Sequence, residues 1–228
     1  MIAGPFELVI FDCDGVLVDS EPIINRAHAY VLTACGYRIT EGDLVRRFCG
    51  ISDPDMLAII QHEWGRVLPR SYRERVGRMI ENEFRQSLTA IEGVSETLDS
   101  LQLPVCVASS STVEQIRRKL ELTGLLRCFG ENLFSATMVG RGKPAPDLFL
   151  YAAQRLAAAP DRCLVIEDSP AGINAALAAG MTAIGFCGGG HCGPEHGARL
   201  QAYGAALVIA DMGELVTAMT KLASVPAR

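Results

Sequence analysis

Short apolar runs recur along the chain at residues 6–11, 105–108, 133–136, 164–166, 183–186 and 206–209, each bounded by turn-forming residues. Each is too short for a helix and largely lacks polar alternation, as strands buried on both faces of a parallel sheet do. From the second run onward, residues with helical spacing lie between them, at 113–122, 146–158 and 171–179, the last closed by Gly180 as a C-terminal cap. Strand and helix in alternation predict an α/β class protein, a doubly wound, Rossmann-like parallel sheet.

Residues 21–90 break this rhythm. They hold no convincing buried strand, and helical spacing dominates at 23–34, 43–48, 55–64 and 72–86. About 70 residues between the first two strands far exceed a crossover of a dozen or so. The pattern predicts a helical domain at 19–91, inserted into an α/β core made of 1–18 and 92–228.

Composition narrows the partners. The 228 residues are 49% hydrophobic and 21% charged, with a net charge of −5. A chain of this size folds without disulfide or metal staples. The acidic balance excludes a broad basic face for nucleic acid. No stretch approaches the roughly 20 apolar residues of a membrane span. The first residues show no basic region followed by an apolar run, so no signal peptide is expected. The eight cysteines (13, 35, 49, 106, 128, 163, 187, 192) are scattered, several within apolar runs. Reduced, buried thiols in a cytoplasmic monomer are the expectation.

The chemistry-bearing residues follow the strands. The first strand leads into Asp12-Cys13-Asp14-Gly15-Val16-Leu17-Val18-Asp19-Ser20. In extended backbone Asp12 and Asp14 point to one side, beyond the carboxyl end of a strand, where open α/β sheets bind ligands. Gly15 lets the chain turn and lets backbone N–H groups approach an anion. Taken alone, the pair could equally cap a loop. The second strand ends in Ser109-Ser110-Ser111, hydroxyls that suit a phosphate or a helix N-cap. Lys143, in Gly142-Lys143-Pro144-Ala145-Pro146, is held by two prolines, although a loop lysine is ordinarily just solvated. The fourth strand ends in Glu167-Asp168-Ser169-Pro170, two acids that repel unless a cation joins them.

Acid pair, hydroxyls, lysine and acid pair, in that order over the whole chain, resemble the four motifs of the haloacid dehalogenase superfamily. The insert resembles the helical cap of its β-phosphoglucomutase-like and sugar-phosphate phosphatase members, and the chain is most similar to the 6-phosphogluconate-type phosphatases. The resemblance implies a Mg²⁺-dependent phosphatase of small phosphorylated metabolites, sugar or sugar-acid phosphates. Asp12 would be the nucleophile that forms an aspartyl-phosphate, and Asp14 the general acid and then base. Mg²⁺ would be held by Asp12, the Asp14 carbonyl and Asp168, with Glu167 a ligand or a support behind them. Ser109 and the Ser110 N–H would bind phosphoryl oxygens, and Lys143 would offset the repulsion between Asp12 and a phosphate dianion.

Two departures bear on the reaction. Ile24 stands where phosphomutases of this branch carry a histidine, and Asp53 where they carry an arginine. Both favour hydrolysis over phosphoryl return, leaving a β-phosphoglucomutase-like phosphomutase as the alternative. A metal-free dehalogenase has no use for Asp14 and the Glu167-Asp168 pair, and the complete motif set argues against an inactive binding module. In the cap loop, Gly50 and Ser52 are candidate substrate contacts. Arg46 and Arg47 just before it could meet a substrate carboxylate or simply face solvent. The run Cys187-Gly188-Gly189-Gly190-His191-Cys192-Gly193-Pro194-Glu195-His196 fits no familiar zinc spacing and is expected to be a mobile loop without metal. His28, His62 and Trp64 are expected to pack or face solvent.

Overall fold

The computed structural model describes residues 6–48 and 53–224. Six strands form one parallel sheet: β1 (Leu8–Phe11), β2 (Val105–Ser109), β3 (Leu133–Ser135), β4 (Cys163–Glu167), β5 (Thr182–Phe186) and β6 (Leu207–Ile209). Their order is β3-β2-β1-β4-β5-β6, so the chain reverses direction across the sheet at β1. Such a reversal opens a crevice at the carboxyl ends of the two central strands. Register places the ends of β1 and β4 side by side, with Phe11 opposite Ile166.

Both faces of the sheet are covered, which explains why its strands read as unbroken apolar runs. Ile10 packs in a buried cluster with Leu148 and Phe149 of α8 (Asp147–Arg155) and Ile173 of α9 (Pro170–Ala178). Its neighbour Phe11 points the other way and meets Phe129 of α7 (Leu126–Phe129) edge to face, ring centres 6.1 Å apart. The remaining helices of this unit are α5 (Val94–Ser100), α6 (Val113–Leu122), α10 (His196–Ala202) and α11 (Leu215–Ala223). Gly180 ends α9 with φ +74°, a left-handed conformation that glycine adopts without a Cβ clash.

Contacts divide the chain into two compact units, one of Met1–Asp19 with Thr89–Arg228 and the other of Ser20–Leu88. The joints differ from the expected 18/19 and 91/92 because the connecting segments pair with each other. Asp19 N–H donates to Thr89 O (3.0 Å), Ile91 N–H to Leu17 O (3.0 Å), and Val18 bridges Ala90. That short ribbon belongs to the α/β unit. The second unit is helical throughout its regular structure: α1 (Glu21–Ala34), α2 (Glu41–Phe48), α3 (Asp53–Trp64) and α4 (Tyr72–Ser87). Its own core gathers Leu32, Leu44, Phe48, Met56, Ile60 and Val76. His28 packs there with its Nδ1 2.8 Å from the Tyr72 hydroxyl, and Trp64 lies edge-on to Tyr37. Gly50 and Ser52 lie outside the described residues.

Candidate active site

The site grows from the end of β1. The Asp12 N–H extends the ladder to Ile166 O (3.0 Å), which turns its side chain into the crevice beside β4. Gly15 then reverses the chain at φ +76°. Its own N–H donates to Val18 O (2.9 Å) within the turn. Its role here is steric: a Cβ on Gly15 would stand 1.9 Å from Asp168 Oδ2. Only glycine lets the turn and Asp168 come this close.

Lys143 ties the two central strands together. Its ammonium, almost wholly buried, donates to Asp12 Oδ1 (2.8 Å), Glu167 Oε1 (2.5 Å) and Ala108 O (2.9 Å). The other Glu167 oxygen accepts from the Ser169 N–H (3.0 Å) and hydroxyl (2.9 Å). That carboxylate lies against Gly172, where a Cβ would be 1.8 Å from Glu167 Cδ. Lys143 is thus a built-in counterion of the acid pair, in place of the ordinary solvated loop lysine.

One residue here escaped the sequence reading. Lys119 of α6 donates to both Asp14 oxygens at 2.5 Å and to Ser111 Oγ at 2.9 Å. Ser111 Oγ donates in turn to Asp14 Oδ2 (3.0 Å). The signal lay in the pattern: Ile116, Lys119 and Leu120 form the buried stripe of α6, and lysine enters such a stripe only with a partner. Ser109 is buried and its Oγ accepts from the Ser111 N–H (3.1 Å). Ser110 is exposed beside it. The N-cap of α6 is Thr112, in a capping box with Gln115, so the serine hydroxyls are not needed for that task.

Charge dominates the site. The carboxylates of Asp12, Glu167 and Asp168 each place an oxygen within 4.8 Å of the others, and all three residues are buried. Burial pushes the Asp12 carboxyl up to about 8; Lys143 opposes this, while Glu167, Asp168 and Asp14 add to it. Asp168 is raised for the same reason, burial first and then Glu167. Burial works against the charged forms of Lys143 and Lys119, but their acid partners outweigh it and hold both above the ordinary lysine range. Ionised together, these three carboxylates and Asp14 would outnumber the two ammonium groups by two. A hard divalent cation with oxygen ligands would balance them, so the donor set fits Mg²⁺.

The glycine-rich segment after β5 is anchored to this site. Gly190 N–H donates to Asp19 Oδ1 (2.9 Å), and His191 Nε2 lies 3.1 Å from Asp168 Oδ2. His196 Nε2 is 2.6 Å from Asp168 O, and burial lowers its pKa. His191, Cys192 and His196 form a close group, with Cys192 Sγ 3.5 Å from His191 Nε2. The expectation of a mobile loop overlooked this tether. All seven described cysteines are free thiols.

Arg46 and Arg47 are paired within the helical unit. Arg46 holds Asp43 (2.5 Å), while Arg47 holds Glu63 (2.5 Å) and the Tyr37 hydroxyl (3.2 Å). Both are therefore engaged by neighbours on their own unit. Among the described residues no helix is long and apolar enough to cross a membrane.

A model of the haloacid dehalogenase-like hydrolase family matches residues 6–180. The 6-phosphogluconate phosphatase of Escherichia coli K12 is 32% identical over 193 residues, 82% of this chain and 86% of that protein. Among solved structures, a conserved haloacid dehalogenase-like protein of unknown function from Agrobacterium tumefaciens C58 is 36% identical. It superposes with a TM-score of 0.89 and covers 96% of this chain and 100% of its own. A family hydrolase from Deinococcus radiodurans R1, with bound phosphate and sodium, is 37% identical with a TM-score of 0.81. That match covers 98% of this chain and 100% of the other.

Proposed function

This chain belongs to the haloacid dehalogenase-like hydrolases, and we propose that it is a Mg²⁺-dependent phosphatase of small sugar or polyol phosphates that works through an aspartyl-phosphate. The observation that carries this reading is the buried Asp12 carboxylate at the end of the central strand, held by Lys143 among three further acids. Asp12, Glu167, Asp168 and the Asp14 carbonyl would hold Mg²⁺. When bound, the ion neutralises phosphoryl charge and brings a dianion up to an anionic nucleophile.

An Asp12 oxygen attacks phosphorus, and the bond from phosphorus to the ester oxygen breaks. Asp14, which must take up a proton from solvent before this step, gives it to that oxygen, so the product leaves as an alcohol. Asp14 then takes a proton from water, the water oxygen attacks the acyl phosphate, and inorganic phosphate leaves with Asp12 restored. Lys143 keeps Asp12 in place and lowers the repulsion it presents to the incoming phosphoryl group. Ser109 and the Ser110 N–H would bind phosphoryl oxygens. The helical unit would act as a cap that excludes water and selects the leaving group. Gly50 and Ser52, which lie outside the described residues, would take part in that selection.

The test is turnover of p-nitrophenyl phosphate with and without chelator, followed by a panel of phosphorylated sugars, polyols and sugar acids. Release of inorganic phosphate from sugar or polyol phosphates is expected. Isomerisation of glucose 1-phosphate without phosphate release would establish a mutase instead. Because Arg46 and Arg47 already have acid partners, neutral and acidic sugar phosphates should differ little, and replacing both with Ala should leave that ratio unchanged.

Lys119 gives a sharper test of Asp14. Lys119→Met keeps the length and apolar stem but removes the charge that orients the Asp14 carboxylate. Misplacing a general acid–base group should lower kcat by about tenfold to a hundredfold, with little change in KM. Alkyl phosphates, whose leaving groups need the proton, should lose more than p-nitrophenyl phosphate. Equal losses on both would show that Lys119 acts only through stability.

A further inference from the structure

We propose that His191 and His196 are positioning residues that fix Asp168 for cation binding, which makes the glycine-rich segment after β5 a working part of the active site. The inference rests on the cation-dependent reading above and extends it to residues outside the four motifs.

Asp168 is gripped at two points. The His196 Nε2–H donates to its backbone oxygen (2.6 Å), and His191 Nε2 reaches its side-chain Oδ2 (3.1 Å). A carbonyl can only accept, so His196 carries a proton on Nε2, and once a bound cation holds Asp168 ionised its carboxylate also only accepts, so His191 Nε2 must donate to it. The two rings pack edge to face, centres 5.4 Å apart and planes at 83°, so each braces the other. Both side chains are buried. An aspartate bonded at both backbone and carboxylate has little freedom left to turn. A cation then finds the ligand already placed, and its binding need not order that side chain.

The glycines explain how the histidines get there. A Cβ on Gly188 would lie 2.2 Å from Ala210 O, and one on Gly189 would lie 2.9 Å from the His191 ring and 3.0 Å from Gly15 O. A Cβ on Gly15 would in turn meet His191 Cε1 at 2.8 Å. The Gly190 N–H bond to Asp19 Oδ1 pins the same stretch to the turn that follows Asp12 and Asp14. The first-strand turn, Asp168 and the His191 segment thus interlock with no room for side chains at Gly15 and Gly189.

The experiment measures Mg²⁺ binding by titration calorimetry on the full chain without substrate, so the readout does not depend on turnover. His191→Met should raise the Mg²⁺ dissociation constant by about 10- to 100-fold, the usual loss on removing a hydrogen-bond partner behind a metal ligand. His191→Gln places an amide N–H where Nε2 stands and should recover most of that affinity. Gly189→Ala keeps the imidazole but displaces it, and should reproduce the loss seen in His191→Met. In kinetics, the Mg²⁺ concentration for half-maximal activity should rise in both weakened variants. KM for the phosphate ester at saturating Mg²⁺ should stay at the wild-type value. If His191→Met and Gly189→Ala bind Mg²⁺ as tightly as wild type, or if Gln binds no better than Met, the positioning role is wrong. If His191→Met does not fold, the Gly189→Ala and His191→Gln pair decides. A wild-type protein that binds no Mg²⁺ would instead overturn the cation-dependent reading itself.

Discussion

Asp12→Asn should lower kcat by at least about a thousandfold, or about 4 kcal/mol of transition-state stabilisation. An amide cannot act as the ionised nucleophile, and no neighbouring carboxylate stands in its place at the end of β1. Asp14 is held by Lys119 and Ser111, and Glu167 by Lys143 and Ser169. The fold should survive. Asn has almost the same shape, and Lys143 keeps Glu167 and Ala108 O as partners. The substitution also replaces a carboxyl whose ionised form burial and three neighbouring acids disfavour. Initial rates on p-nitrophenyl phosphate at saturating Mg²⁺, with a melting curve beside them, check both halves of the prediction. Turnover above about one per cent of wild type in a folded variant would show that Asp12 is not the nucleophile.

What could be read in advance was set by periodicity. The sheet strands are buried on both faces, so they appear as apolar runs, and all six lie where such runs fall. The helices of the second unit were equally legible, because each has an apolar stripe that its neighbours cover. Short helices such as α5 and α10 were not, since two turns carry too little pattern to stand out. The motif acids and Lys143 could be found because strand ends concentrate chemistry at the carboxyl edge. Lys119 could not be paired from sequence: it lies 105 residues from Asp14, and only the fold brings α6 beside the β1 turn. His191 and His196 were visible as residues, but their target was not. A glycine-rich run reads as mobile when its neighbours are unknown, and these glycines instead permit close packing against Gly15 and Ala210.

Removing Mg²⁺ should have the second large effect, a loss of activity of a hundredfold or more, about 2.7 kcal/mol. The reason is the charge left at the centre of the site. Ionised together, Asp12, Asp14, Glu167 and Asp168 would outnumber Lys143 and Lys119 by two, and a phosphate dianion adds to the imbalance. Ca²⁺ should inhibit, because its looser coordination misplaces the nucleophile. The same imbalance predicts a pH dependence of stability. In the cation-free fold the Asp12 carboxyl titrates at about 8, against an ordinary value of 3.8. Between those values the folded protein keeps a proton that the unfolded chain releases. This group's contribution to stability is therefore intact below about pH 4 and is lost as pH rises through 8. Asp168, raised in the same direction by burial and Glu167, adds to the trend. A cation at the cluster favours the ionised carboxylates and cancels that loss. The rise in melting temperature on adding Mg²⁺ should accordingly be small near pH 5 and grow towards pH 8. Melting curves at fixed ionic strength, with and without Mg²⁺ across that range, measure it. A Mg²⁺ shift that stays constant or shrinks with rising pH would mean that the ion does not neutralise this acid cluster.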